Sequence, residues 1–118
     1  MNTRQKGNRN QRKCIEYLEN LGWKVSKAEQ GGKFNKEKDL FGLFDLVAFR
    51  AQQVMFVQVT TNVPHTHKNY KAFADEHGYS NIIFKQFVWY DRQGWKIFTY
   101  TPYKKWNEED LRKNAKQK

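Results

Sequence analysis

The chain has 118 residues, with 22 Lys and Arg against 12 Asp and Glu, for a formal charge of +10. That length suits one domain with a proper core and is too short for two ordinary ones. The charge recruits phosphates by counterion release, so nucleic acid leads the partner list. No run nears the roughly 18 apolar residues of a membrane span, and no segment joins an apolar stripe to a basic face, so no membrane partner is expected.

In chain order, residues 1–9 are polar and basic and read as a mobile arm without the apolar region of a secretory signal. From about residue 8 to 21 the pattern is helical, with Cys14, Ile15, Leu18 and Leu21 on one stripe and Gln11 almost in line with Leu18. Gly22 stands where a C′ glycine ends a helix. Residues 23–28 alternate as a strand, and residues 29–38 form a polar loop. Strands over about 43–49 and 54–61 make a central hairpin around Arg50-Ala51-Gln52-Gln53. Thr66 is placed to cap a helix running to Glu76 or His77, stopped by Gly78. Residues 82–84 and 87–90 read as strand, 91–94 as a turn and 95–100 as the returning strand, ended by Pro102. Asn107 is placed to cap a short terminal helix with Glu108, Glu109 and Asp110 in its first turn, within a basic tail over 103–118. Helix, three strands, helix, two strands describes an α/β or α+β domain with a central mixed sheet.

One cysteine, Cys14, excludes an internal disulfide and a cysteine-built zinc site, and an intracellular, soluble, cytoplasmic chain is expected. Aromatic residues are 16% of the chain. Most fill the core, while exposed rings beside Lys or Arg suit stacking on bases. His65 and His67 precede a helix with no acid cluster nearby and read as surface or capping residues.

Two polar residues interrupt the central hairpin where burial is expected. Asp45 opens one apolar run, and Gln58 breaks the end of the other with Thr60 on its face. A carboxylate in that setting is costly unless paired or metal-bound. Asp45, the Gln58 carboxamide and the Val59 carbonyl offer the hard oxygens that Mg²⁺ prefers, and Asp39 is a further ligand if its loop folds over.

Gly7-Asn8-Arg9-Asn10-Gln11-Arg12, a helix ending in Leu21-Gly22-Trp23, then Phe44-Asp45-Leu46-Val47-Ala48 and Phe56-Val57-Gln58-Val59-Thr60 together resemble the PD-(D/E)XK nuclease superfamily. The nearest members are archaeal-type Holliday junction resolvases and phage or VRR-NUC-like relatives, over roughly two thirds of the chain. The resemblance implies a restriction-endonuclease-like core, a central mixed β-sheet flanked by helices. It also implies Mg²⁺ or Mn²⁺ as cofactor and duplex or branched DNA as substrate. A homodimer is expected, formed through the apolar hairpin over 87–100, and so compact a domain fits a phage or mobile-element origin.

In that family a glutamate follows the helix-start glycine by four residues, and here Gln11 follows Gly7. The strand aspartate falls on Asp45, and Glu-x-Lys falls on Gln58-Val59-Thr60. The lysine of this superfamily can migrate to the following helix, where Lys68 and Lys71 stand one turn apart. The implied catalytic set is therefore Asp45, Gln58, Thr60, Gln11, Lys68 and Lys71. Arg4, Lys6, Arg9, Arg12, Lys13, Lys68 and Lys71 would hold nucleic acid. Three functions compete: a metal-dependent DNA endonuclease acting on branched DNA, a non-catalytic nucleic-acid-binding module on a degenerate nuclease fold, and an interaction subunit whose exposed Trp89 and Trp95 bind protein.

Overall fold

A strand that is apolar on both faces has to lie between two layers, and residues 54–59 are apolar at every position but Gln58. The computed structural model, which describes residues 3–28 and 40–113 and the side chains from residue 7 onward, has this layered form. Its elements in order are α1 (Thr3–Asn20), β1 (Lys24–Lys27), β2 (Leu46–Arg50), β3 (Gln53–Thr61), α2 (His67–His77), β4 (Ile82–Tyr90), β5 (Gly94–Tyr100) and β6 (Asn107–Asp110). The strands form one sheet in the order β1-β2-β3-β4-β5-β6. Neighbours are antiparallel except β3 and β4, whose parallel pairing needs the crossover that α2 supplies. The architecture is α+β, a mixed six-stranded sheet with a helix on each face.

Strand alternation sorts the core into two layers. Met55, Val57 and Val59 of β3, Phe87 of β4, and Trp95 and Ile97 of β5 pack with Cys14 and Leu18 of α1. Phe56, Phe84, Val88, Phe98 and Tyr100 point the other way and pack with Tyr70 and Ala74 of α2. Gly22 ends α1 in a left-handed conformation, φ +94°. The Trp23 N–H bonds Leu18 O and the Gly22 N–H bonds Glu19 O, both at 3.0 Å, the paired bonds of a Schellman turn. That turn drops Trp23 into the core, 5% exposed.

Several expectations are corrected. Helix α1 begins at Thr3 and not near residue 8, so residues 3–9 of the expected arm are helical. Arg, Gln and Lys are good helix formers, and no apolar residue marks the start. Leu21 lies in the turn after α1 and is exposed, outside the buried stripe. The terminal helix expected at residue 107 is strand β6, which pairs with β5 from Thr99↔Asn107 to Lys96↔Asp110. A Lys96–Glu108 ion pair at 3.2 Å ties the two strands. Trp95 is buried and Trp89 half-buried against it, ring centroids 5.0 Å apart, so the hairpin does not offer two exposed tryptophans to a protein partner. The loop over 29–38 lies outside the described residues. No helix among the described residues is long and apolar enough to cross a membrane.

Candidate functional site

The chain changes face at Asp45. Phe44 packs on the α2 side and Leu46 on the α1 side. Between them the Asp45 N–H bonds Val57 O of β3 at 2.8 Å, while its carbonyl accepts the Ala28 N–H, next to β1, at 2.7 Å. A regular strand residue sends both groups to one neighbour, so Asp45 marks a break in β2. Its carboxylate takes over the missing ladder position, Oδ2 accepting the Val59 N–H at 3.1 Å. Because N–H and C=O of one strand residue point the same way, the Val59 carbonyl also faces the break. The Asp45 charge reaches the α1 side as well. It adds to burial in pushing the Cys14 thiol above its ordinary range.

Gln58 and Thr60 lie on the α2 face of β3, 5% and 8% exposed. Their Oε1 and Oγ1 are buried with no hydrogen-bond partner among the described residues. Such acceptors cost about 1–3 kcal/mol each when left unbonded.

Two further buried amides surround this pair, and sequence reasoning passed over both. Gln86 of β4 is the register partner of Gln58 and is fully buried. Its Oε1 accepts the His65 N–H at 2.6 Å, and its Nε2 donates to the Tyr100 hydroxyl at 2.9 Å. Tyr100 in turn bonds His67 Nδ1 at 2.6 Å. Asn10, 1% exposed, donates to Thr61 Oγ1 at 2.7 Å and ties α1 to the end of β3. Gln86 carried the same signal as Gln58, an amide inside an apolar run. Asn10 sits one turn before Cys14, on the stripe assigned to Gln11.

The remaining expected site residues divide. Gln11 is half-buried beside Asn10. Lys68 is exposed in the first turn of α2, just after the segment leaving β3. Lys71 pairs with Asp75 along the helix, which draws its ammonium toward the helix C-terminus. Lys13 lies over the Trp89 ring, 3.8 Å from its centroid, and desolvation with Arg9 nearby holds it below the usual lysine range. Arg9 and Arg12 are exposed on α1. Asp39 and the side chains of Arg4 and Lys6 lie outside the described residues. Among those residues no three of His, Cys, Asp and Glu gather as a metal cluster. The carboxylate of Asp45, the carboxamide of Gln58 and the carbonyl of Val59 are hard oxygen donors of the kind that Mg²⁺ takes.

No protein-family model and no curated protein sequence matches the chain. Among solved structures it is similar to Hjc, a Holliday junction resolvase from the archaeal hyperthermophile Archaeoglobus fulgidus. The TM-score is 0.57 at 16% identity, with 88% of each chain covered. At that identity the likeness is one of fold.

Proposed function

We propose that the protein is a metal-dependent DNA endonuclease of resolvase type, with Asp45 as its anchoring residue. The observation that supports this reading is the break at Asp45, opposite the stretch of β3 whose Gln58 keeps an unbonded buried oxygen. Protein interiors seldom leave such an acceptor without a partner from protein, water or a bound ion. Asp45, Gln58 Oε1 and the Val59 carbonyl would hold Mg²⁺ or Mn²⁺, which when bound supplies Lewis-acid polarisation and an acidified water. Hydrolysis forms a bond from the water oxygen to phosphorus and breaks the bond to the leaving sugar oxygen, which takes up a proton. In this reading the ammonium of Lys68 would offset charge on the phosphate, and the Thr60 hydroxyl would donate to a phosphate oxygen. Arg9 and Arg12 extend a basic face along α1 for the flanking duplex. A four-way junction presents two equivalent bonds, so the acting unit is a two-fold dimer.

One observation favours binding without cutting. Asp45 is the single charged member of the pair of strand motifs, and Lys71 is spent on Asp75. The test incubates the protein and Asp45→Ala with labelled duplex and four-way-junction DNA in Mg²⁺, Mn²⁺ or EDTA. Metal-dependent cutting that disappears in the variant supports the nuclease. Equal binding by both proteins with no cutting in any metal refutes it and leaves the binding module.

A further inference from the structure

The two most exposed large aromatic residues among those described are Tyr103 and Tyr79, 84% and 72% exposed. They follow Pro102 and Gly78, which touch. A Cβ at Gly78 would lie 2.5 Å from Pro102 Cγ and 2.6 Å from the Ala74 carbonyl, so only glycine admits the contact. Tyr103 adopts a left-handed backbone, φ +59°, unfavourable for a bulky residue. Its N–H is held there by Asp75 Oδ1 at 2.6 Å, and Asp75 is itself fixed by Lys71. Downstream, Trp106 stacks on His67 with centroids 4.7 Å apart, which anchors the other end of the segment. Tyr79 lines a groove of about 440 Å³ with Gly78, Ser80, Ile82, Thr101 and Pro102, and Tyr103 follows directly on Pro102. Lys104 and Lys105 follow directly, exposed and with no ion pair among the described residues.

The left-handed conformation belongs to the third position of a turn in which the Lys104 N–H bonds Thr101 O at 3.3 Å, and it leaves the Tyr103 ring in solvent. Two outward rings beside a groove, next to two unpaired lysines, make the arrangement that single-stranded nucleic acid uses, bases on rings and phosphates on cations. We propose that Tyr79 and Tyr103 form a stacking platform for unpaired nucleotides of a DNA strand, with Lys104 and Lys105 on its phosphates. Charge complementarity selects a polyanion over an apolar peptide. The choice of DNA rests on the reading of Asp45; the stacking does not. The platform lies at the C-terminal end of α2, the end of the sheet opposite Asp45. About seven strand residues separate the two, roughly 20 Å. A branched molecule that carries a single-stranded arm would place duplex at one end and that arm at the other.

The test measures fluorescence anisotropy of labelled oligo-dT, blunt duplex and oligo-rU in EDTA, so cutting plays no part and a failed nuclease reading leaves the outcome interpretable. Tyr103→Ala and Tyr79→Ala are expected to weaken oligo-dT binding about 5- to 100-fold, the loss of one base stack. Duplex binding stays within about twofold, and Tyr103→Phe binds as wild type, because stacking needs the ring and not the hydroxyl. Replacing Lys104 and Lys105 by Ala lowers the salt slope by about 1.4, or 0.7 per phosphate contact on a single strand. Tyr103→Gly, free of the left-handed strain, melts within about 3 °C of wild type yet loses binding. Unchanged oligo-dT binding in both alanine variants overturns the proposal, as does equal loss on duplex or a Tyr103→Phe as weak as Tyr103→Ala. A marked fall in the melting temperature of Tyr103→Gly also overturns it, since the residue would then serve the fold. Tighter binding of oligo-rU than oligo-dT overturns the assignment to DNA.

Discussion

Replacing Gln58 by methionine should stabilise the protein while disabling the site. Gln58 is buried, and its Oε1 has no partner among the described residues. An unbonded buried acceptor costs about 1–3 kcal/mol. Methionine matches the length of glutamine and removes that penalty, and near-isosteric core exchanges are well tolerated. Against the gain stands any hydrogen bond made by Nε2, about 0.5–1.5 kcal/mol. The net expectation is a gain of about 1 kcal/mol. In urea, with a slope of about 2 kcal/mol/M, the midpoint rises by roughly 0.5 M. A melt rises by about 3–6 °C for a chain of this size. If Gln58 binds the ion, Mn²⁺ should raise the melting temperature of wild type and not of Gln58→Met, because only a site present in the folded state responds to ligand. A fall of more than about 1 kcal/mol in Gln58→Met would mean that Oε1 is satisfied in the folded protein, and the argument from the unbonded oxygen would fail.

Three other outcomes can be checked with the same equipment. His67 is held below its ordinary value, by burial first, with Lys96 acting the same way and Glu108 opposing. The Tyr100 hydroxyl, which accepts from Gln86 Nε2, lies 2.6 Å from His67 Nδ1 and so holds the ring in this half-buried place. Stability conferred by a lowered histidine is complete above about pH 6.5 and declines as pH falls below it; the urea midpoint should drop between pH 7.5 and 5.5, less steeply in His67→Gln. Tyr100 is pushed up to about 12 by burial, with the Gln86 bond pulling the other way. Its contribution is complete below about pH 10 and is lost between pH 10 and 12, by roughly 1 kcal/mol per pH unit, read as phenolate absorbance that appears only with unfolding. Gln58→Glu puts a second carboxylate into a buried position near Asp45; without metal it should destabilise by about 1–3 kcal/mol, and Mn²⁺ should recover most of the loss. A Gln58→Glu chain indifferent to Mn²⁺ would argue against any ion at this end of the sheet.

The fold was legible wherever burial is written into a local pattern. The apolar run at 54–61 corresponds to β3, the runs at 82–84 and 87–90 join through Lys85 and Gln86 into β4, and Gly22 marks the end of the first helix. Residues 107–110 misled because their local chemistry is that of a helix start, a capping asparagine followed by three acids. What decides their conformation is the open edge of β5, which lies eight to fourteen positions back in sequence through the Thr99↔Asn107 and Lys96↔Asp110 pairs. A strand defined by its partner has little signature of its own, and four exposed residues have no alternation to read. Acidic residues there also blunt the edge against further pairing.

The site is a harder case, because its most telling residues share one sequence signal and meet two fates. Gln58 and Gln86 each interrupt an apolar run, and the parallel register of β3 and β4 sets them side by side. Gln86 is bonded at both ends, to His65 and Tyr100, and so holds the segment entering α2 against the sheet. Gln58 on the next strand keeps an unmatched oxygen near the break at Asp45. An amide in a hydrophobic run therefore announces burial without saying whether it braces the fold or faces a ligand. Only the partner count separates the two, and that count depends on a register pairing residues 28 positions apart.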